Sequence, residues 1–263
     1  MTFKPPKTSV AVILLVVGML LGILLPVALM MVIAAVTDIR LEEYLKFAML
    51  LGEALITVPI LIWALIKKEK FRAVFRMHKF QPQYLLYTFL AGIGLIFVLD
   101  ELERLIDRLF TPPAFMENME ELLRISDWPS AIILIAGVVL IGPLAEEVVF
   151  RGFLQQTLEK RLKSVTMAVV YTALAFMISH FNLYWSVNIF IIGFFLSFVT
   201  LKANSIWPAF LLHMINNGLS LLFLHYERII EPYIAFHGHT HPLIFLIALF
   251  LLVRYLIKLT KLT

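Results

Sequence analysis

The chain has 263 residues, of which 61% are hydrophobic and 15% charged, and its mean hydropathy of +0.93 excludes an ordinary soluble domain, where about a quarter of residues carry charge. The absence of cysteine excludes disulfides, cysteine-ligated metals and a cysteine nucleophile. A net charge of +4 without a long basic run excludes a nucleic-acid surface.

Apolar runs long enough to cross a bilayer recur along the chain. A helical crossing needs about 17–25 such residues. The runs are continuous rather than alternating, so they predict helices and not a barrel. The expected fold is all-α: one integral membrane domain over 1–263, a bundle of about eight transmembrane helices. In chain order the spans fall near 9–36, 46–66, 83–99, 130–158, 164–182, 185–201, 205–224 and 242–259. The first, about Val10 to Val36, is too long for a signal-peptide core and reads as an uncleaved anchor. Between spans three and four, ELERLIDRLF reads as an amphipathic helix lying on the outer surface, ended by Pro112-Pro113. No internal repeat or second domain is visible, and the GxxxG-like spacings carry no weight.

Loop charge sets the orientation. Lys4 and Lys7, the six cations from Lys67 to Lys79, then Lys160, Arg161, Lys163, Lys202, Lys258 and Lys261 fall on one side of an eight-span count. Asp38, Glu42 and Glu43, the acids Asp100 to Asp107, and Glu117 to Glu121 fall on the other. Cytoplasmic loops carry the excess Lys and Arg. Both termini are therefore expected in the cytoplasm, the membrane being a bacterial cytoplasmic membrane.

The fourth span holds GPLAEEVVFRGFL, residues 142–154, with three charges inside an apolar run. Each costs about 2.5–3.5 kcal/mol at a helix centre. Glu147 and Arg151 are four apart and can pair on one face. Glu146 lies about 100° around the helix and needs another partner. Span five ends in FMISHF with His180, and span seven contains HMINN with His213 and Asn217 four apart.

A carboxylate and two histidines around a membrane cavity suit water activation. Burial favours the protonated form of a carboxyl group and brings its titration toward neutrality. Glu146 can then take a proton from water while His180 orients it, and His213 and Asn217 can donate to the oxyanion of an attacked carbonyl. A zinc ion held by Glu146, His180 and His213 is an alternative, although the motif H-E-x-x-H is absent. Competing bland readings are a structural ion pair for Glu147–Arg151, a core histidine for His180 and packing for Phe176. Asn216 points away from Asn217. Glu53 and Asn188 read as local polar contacts, and HGHTH (His237, His239, His241) as an outer loop rather than a metal cluster. Ser179 adjoins His180 and faces elsewhere, a poor nucleophile–base pair.

The set Glu146-Glu147-xxx-Arg151, Phe176-xxx-His180 and His213-xxx-Asn217 resembles the CAAX-protease and bacteriocin-processing family of intramembrane endopeptidases, which includes the Ras-converting enzyme. The resemblance covers about residues 130–225. It implies an eight-helix peptidase whose site opens toward the cytoplasm and the bilayer. Glu146 and His180 would activate water, His213 and Asn217 would form the oxyanion hole, and Glu147 and Arg151 would support them. Family members have been described both as metalloproteases and as glutamate peptidases needing no metal; the second is expected here, with zinc as the alternative cofactor. The expected partners are membrane lipid and a peptide or protein with a membrane-associated segment, and no nucleic acid. The alternatives to a peptidase are a proton-coupled transporter and a catalytically silent scaffold or immunity protein.

Overall fold

The structure, a computed structural model, describes residues 3–36 and 41–262, apart from the side chains of 41–43. The acid Asp38 falls outside the described residues, as do the side chains of Glu42 and Glu43. The molecule is helical almost throughout. Among the described residues seven helical segments are long and apolar enough to cross a membrane: Thr8–Val36 (α1), Tyr44–Ile66, Pro82–Leu109 (α5), Trp128–Arg161 (α7), Ser186–Ala203 (α9), Trp207–Ile234 (α10) and Pro242–Lys261 (α11). Val165–Ser179 (α8) is apolar but has only 15 residues. At 1.5 Å per residue it is about 22 Å long, short of the roughly 30 Å hydrocarbon core. All eight expected spans are thus helices, seven of them long enough to cross.

The second span is two helices, Leu41–Leu55 (α2) and Val58–Ile66 (α3). Pro59 has no N–H to give the carbonyl four residues back, and the chain breaks at Ile56–Thr57. Two short surface helices complete the set, Phe71–Val74 (α4) and Phe115–Leu122 (α6). A two-stranded hairpin, β1 Ala235–Phe236 and β2 His239–Thr240, joins α10 to α11.

Two sequence expectations change. ELERLIDRLF is not a separate surface helix; its residues through Leu109 are the last turns of α5. Asp100 and Glu231 both bind Arg104 (2.9 and 2.7 Å), so α5 can project as continuous helix past the apolar region by tying its charges to α10. The glycines set aside in the sequence do pack helices. A Cβ on Gly22 would come within 2.8 Å of the Gly52 carbonyl oxygen, and one on Gly52 within 2.6 Å of the Gly22 carbonyl oxygen. Backbone-to-backbone approach of this kind is how small residues join helices in lipid.

The two ends of the bundle are stitched by opposite charge. At one end Lys160 donates to the Phe3 carbonyl, Arg161 to those of Pro5 and Pro6, Arg76 to Glu159 and Asn204, and Lys202 to the Thr260 carbonyl. At the other end Tyr184 donates to Asp107, Trp185 to Glu103 and Lys46 to Ser130, and the Thr240 hydroxyl to Asp100. The basic loops that the sequence assigns to one side therefore do gather at one end of the fold.

Candidate active site

The central helix α7 has unusual local geometry. Residues 135–141 and 147–155 are wound as π-helix on either side of the short α-helical turn Gly142–Glu146. π-segments are rare and cluster at functional sites. Pro143, without an N–H, sits in that turn. The charged residues of 142–154 all fall here.

Glu147 and Arg151 are completely buried and paired, Nη1 to Oε1 at 2.9 Å. Arg151 also donates through Nη2 to the Gly193 carbonyl on α9 (3.1 Å), and its guanidinium lies 4.2 Å over the Phe176 ring. A Cβ on Gly193 would meet Phe176 at 2.9 Å, so glycine is what lets the carbonyl reach Arg151. Nothing in the sequence marked Gly193.

Glu147 has a second partner that sequence reasoning missed. His213 on α10 places Nδ1 3.0 Å from Glu147 Oε1 and Nε2 3.3 Å from Glu146 Oε2. The Glu147 oxygen already accepts from Arg151, so it accepts from His213 as well, and Nδ1 carries its proton. His213 thus bridges the two glutamates.

Glu146 faces both histidines. His180 Nε2 lies 3.9 Å from Glu146 Oε1, and the two side chains are 31% and 15% exposed. His180 caps α8 just beyond its last helical residue. Its Nδ1 is 2.8 Å from the Phe176 carbonyl. A carbonyl only accepts, so Nδ1 carries a hydrogen, and in the neutral ring Nε2 presents its lone pair toward Glu146. Phe176 is fully packed and touches both histidine rings edge-on, at 4.6 and 5.7 Å between centroids. Its packing role sets the distance between them.

Asn217 lies one turn beyond His213. It spends one amide hydrogen on the Val138 carbonyl in the first π-segment (3.0 Å) and accepts from Asn216 (3.2 Å). An amide has two N–H donors, and the second is available to a ligand. Glu53, read as a local contact, reaches α7 instead: a Cβ on Gly142 would lie 3.4 Å from its side chain.

The remaining polar groups lie elsewhere. His239 of HGHTH is held by Glu101 at 2.7 Å and by Arg108. Ser179 bonds the Phe176 carbonyl at 2.7 Å. Among the described residues no group of three His, Asp or Glu side chains is disposed to hold a metal ion; Glu146, His180 and His213 are neighbours without forming such a set. A hollow of about 540 Å³ beside the far end of α10, lined by Glu227, Arg228, Glu231 and His237 among others, does not include the cluster.

What the arrangement can do is hydrolytic. It offers a partly exposed carboxylate, a neutral imidazole lone pair beside it and a doubly anchored imidazole opposite, all inside an apolar bundle. Residues 128–219, which contain every member of the cluster, match the family model described as type II CAAX prenyl endopeptidase, Rce1-like. No curated protein and no solved structure matches the chain.

Proposed function

We propose, from the premise that residues 128–219 form a domain of the CAAX-protease family, that the chain is an intramembrane endopeptidase that hydrolyses peptide bonds with a glutamate-activated water. The observation that supports this reading best is the facing pair Glu146 and His180, both on the exposed side of the cluster. A water held between them donates one hydrogen to Glu146 Oε1 and the other to His180 Nε2. The 3.9 Å gap is too long for a direct hydrogen bond and invites a bridging water. Its lone pair then points away from both, at an incoming carbonyl carbon.

Attack forms the C–O bond as Glu146 takes the water proton. The carbonyl oxygen becomes an oxyanion, received by the His213 Nε2–H, which turns from Glu146 as that carboxylate is protonated, and by the second Asn217 N–H. Glu147, fixed by Arg151, holds His213 by its Nδ1–H and stabilises its positive charge. The tetrahedral species collapses with cleavage of the C–N bond, and Glu146 returns its proton to the leaving amine.

Substrates on this reading are peptides or proteins with a membrane-associated segment, in a bacterial cytoplasmic membrane. The transporter alternative draws one observation, the broken second span. That break packs against α1 through Gly18 rather than lining the Glu146 cluster, as a carrier's broken helix would line its binding site.

The test compares purified wild type with Glu146→Gln on a quenched peptide library in detergent, each with and without a chelator. Cleavage abolished by the substitution and kept in chelator is the expected result. Cleavage lost in chelator moves the chemistry to a metal. Undiminished cleavage by Glu146→Gln refutes the assignment of the base.

A further inference from the structure

The outer face of α11 carries charge that the protein does not neutralise. The helix runs from Pro242 at the acidic end to Lys261 at the basic end. One face packs inward. Ala248 and Leu259 are buried, Ala248 and Leu252 lie against Gly94, and the Tyr255 ring is 5.6 Å from that of Tyr87. The other face is apolar and exposed through Leu246, Phe250 and Val253. Arg254 is exposed beside them, followed at i+4 and i+7 by Lys258 and Lys261. Seven residues separate Arg254 from Lys261, about 10 Å of helix, so Arg254 sits inside the span rather than at its end.

No acid is at hand for these cations. α11 contains no Asp or Glu, nor does α9, nor α5 from Pro82 to Leu99. The first acid along α5, Asp100, is 13 residues beyond Tyr87, about 20 Å further toward the acidic end. Among the described residues no carboxylate pairs with Arg254, Lys258 or Lys261. Arg254 lies 5.8 Å over the Phe250 ring, and Lys258 lies 5.1 and 5.0 Å over Tyr87 and Tyr255. Lys202, bonded to the Thr260 carbonyl at 2.9 Å, adds a fourth positive charge at this end. An arginine inside a span is costly unless something anionic meets it. Reaching toward the headgroups relieves part of that cost and brings the guanidinium to lipid phosphate.

The same face forms a shallow groove of about 580 Å³, lined by Leu246, Phe250 and Val253 along its apolar part and by Arg254, Lys258 and Lys261 toward the basic end. From Leu246 to Lys261 is 15 residues, about 22 Å. Half a bilayer with its headgroups is about 20–22 Å thick. The groove has the length of one lipid in one leaflet, apolar where the chain would lie and cationic where the headgroup would lie.

We propose that this face of α11 is a binding site for one phospholipid of net negative charge, in the leaflet at the basic end. Its acyl chain lies along Leu246, Phe250 and Val253, and Arg254 and Lys258 hold its phosphate. The guanidinium takes two phosphate oxygens at once. Lys258, steadied by the two tyrosine faces, supplies a point charge four residues on, and Lys261 meets the rest of the headgroup. A zwitterionic lipid brings its own cation to the same place and is disfavoured. Loop charge assigns the basic end to the cytoplasm, whose leaflet is the anionic one. The proposal stands apart from the peptidase reading, since none of these residues belongs to the glutamate cluster.

Native mass spectrometry of the purified chain tests it, with phosphatidylglycerol and phosphatidylcholine of identical chains added at equal concentration. A cation near a charged headgroup strengthens association about fivefold, so wild type should retain one phosphatidylglycerol about tenfold or more in preference to phosphatidylcholine. Arg254→Gln/Lys258→Gln should lose that preference. Lys70→Gln/Lys163→Gln, which removes two exposed cations from the same end but outside the groove, should keep it. Val253→Trp fills the groove, leaves the three cations in place and should lower retention of phosphatidylglycerol; it also carries the test should the charge variant misfold. Inorganic phosphate at the same concentration should not displace the lipid. Equal retention of both lipids by wild type, an equal loss in the Lys70/Lys163 variant, or undiminished retention by Val253→Trp overturns the site. Displacement by inorganic phosphate overturns the lipid in favour of a bare anion.

Discussion

Arg151→Met is the most informative substitution for the buried framework. The guanidinium is fully buried and makes three contacts: the 2.9 Å pair with Glu147, the 3.1 Å bond to the Gly193 carbonyl and the 4.2 Å approach to the Phe176 ring. Methionine keeps most of the apolar stem and removes the charge. Among the described residues Glu147 is then left with His213 as its partner, its other oxygen being already unbonded and buried. Breaking a buried pair from one side costs about 3–5 kcal/mol, because a charge is stranded. That is roughly two to four orders of magnitude in the folding equilibrium. Reversible unfolding in mixed micelles, followed by tryptophan fluorescence, reads it. The double variant Glu147→Gln/Arg151→Met should recover most of the loss, since no unpaired charge remains. A single variant costing under about 1 kcal/mol, the level of an exposed pair, would refute the reasoning. So would a double variant whose loss equals the sum of the two singles, which is the signature of independent sites.

Gly52→Ala should destabilise by about 1–3 kcal/mol through overpacking, because its new Cβ meets the Gly22 carbonyl oxygen at 2.6 Å, whereas Gly218→Ala, with Val139 at an ordinary 3.5 Å, should be neutral in the same unfolding assay. In the α8–α9 loop, partial withdrawal from water and the hydrogen bond to Asp107 push the Tyr184 phenol up to about 12. A raised value favours the neutral form in the fold, so this contribution is full below the unfolded value near 10 and is lost as pH rises through 12. The thermal midpoint of wild type should therefore fall more steeply between those limits than that of Tyr184→Phe; parallel curves would exclude the contact.

The sequence by itself determined the membrane bundle, because each helix in lipid must satisfy its own backbone and be apolar for most of its length, a property read locally. It also singled out Glu146, Glu147, Arg151, His180, His213 and Asn217, since polar groups are conspicuous against an apolar background. The fold brings five of them together, Glu146 between the histidines and Glu147 between Arg151 and His213, while Asn217, one turn on from His213, bonds the Val138 carbonyl.

What the sequence did not determine are relations between distant segments. Glu147 and Arg151 satisfy the i, i+4 rule, which hid the third partner, His213, 66 residues away. Gly193 and the Gly22–Gly52 approach were invisible because a glycine's value lies in the atoms opposite it. The outer helix merged into α5 because its acids found Arg104 and a partner on α10. Which side chains wall the cluster was decided by tertiary structure alone. It depends on how α7, α8 and α10 are set beside one another, and hydropathy, which measures each segment against lipid, is blind to how segments are staggered against one another.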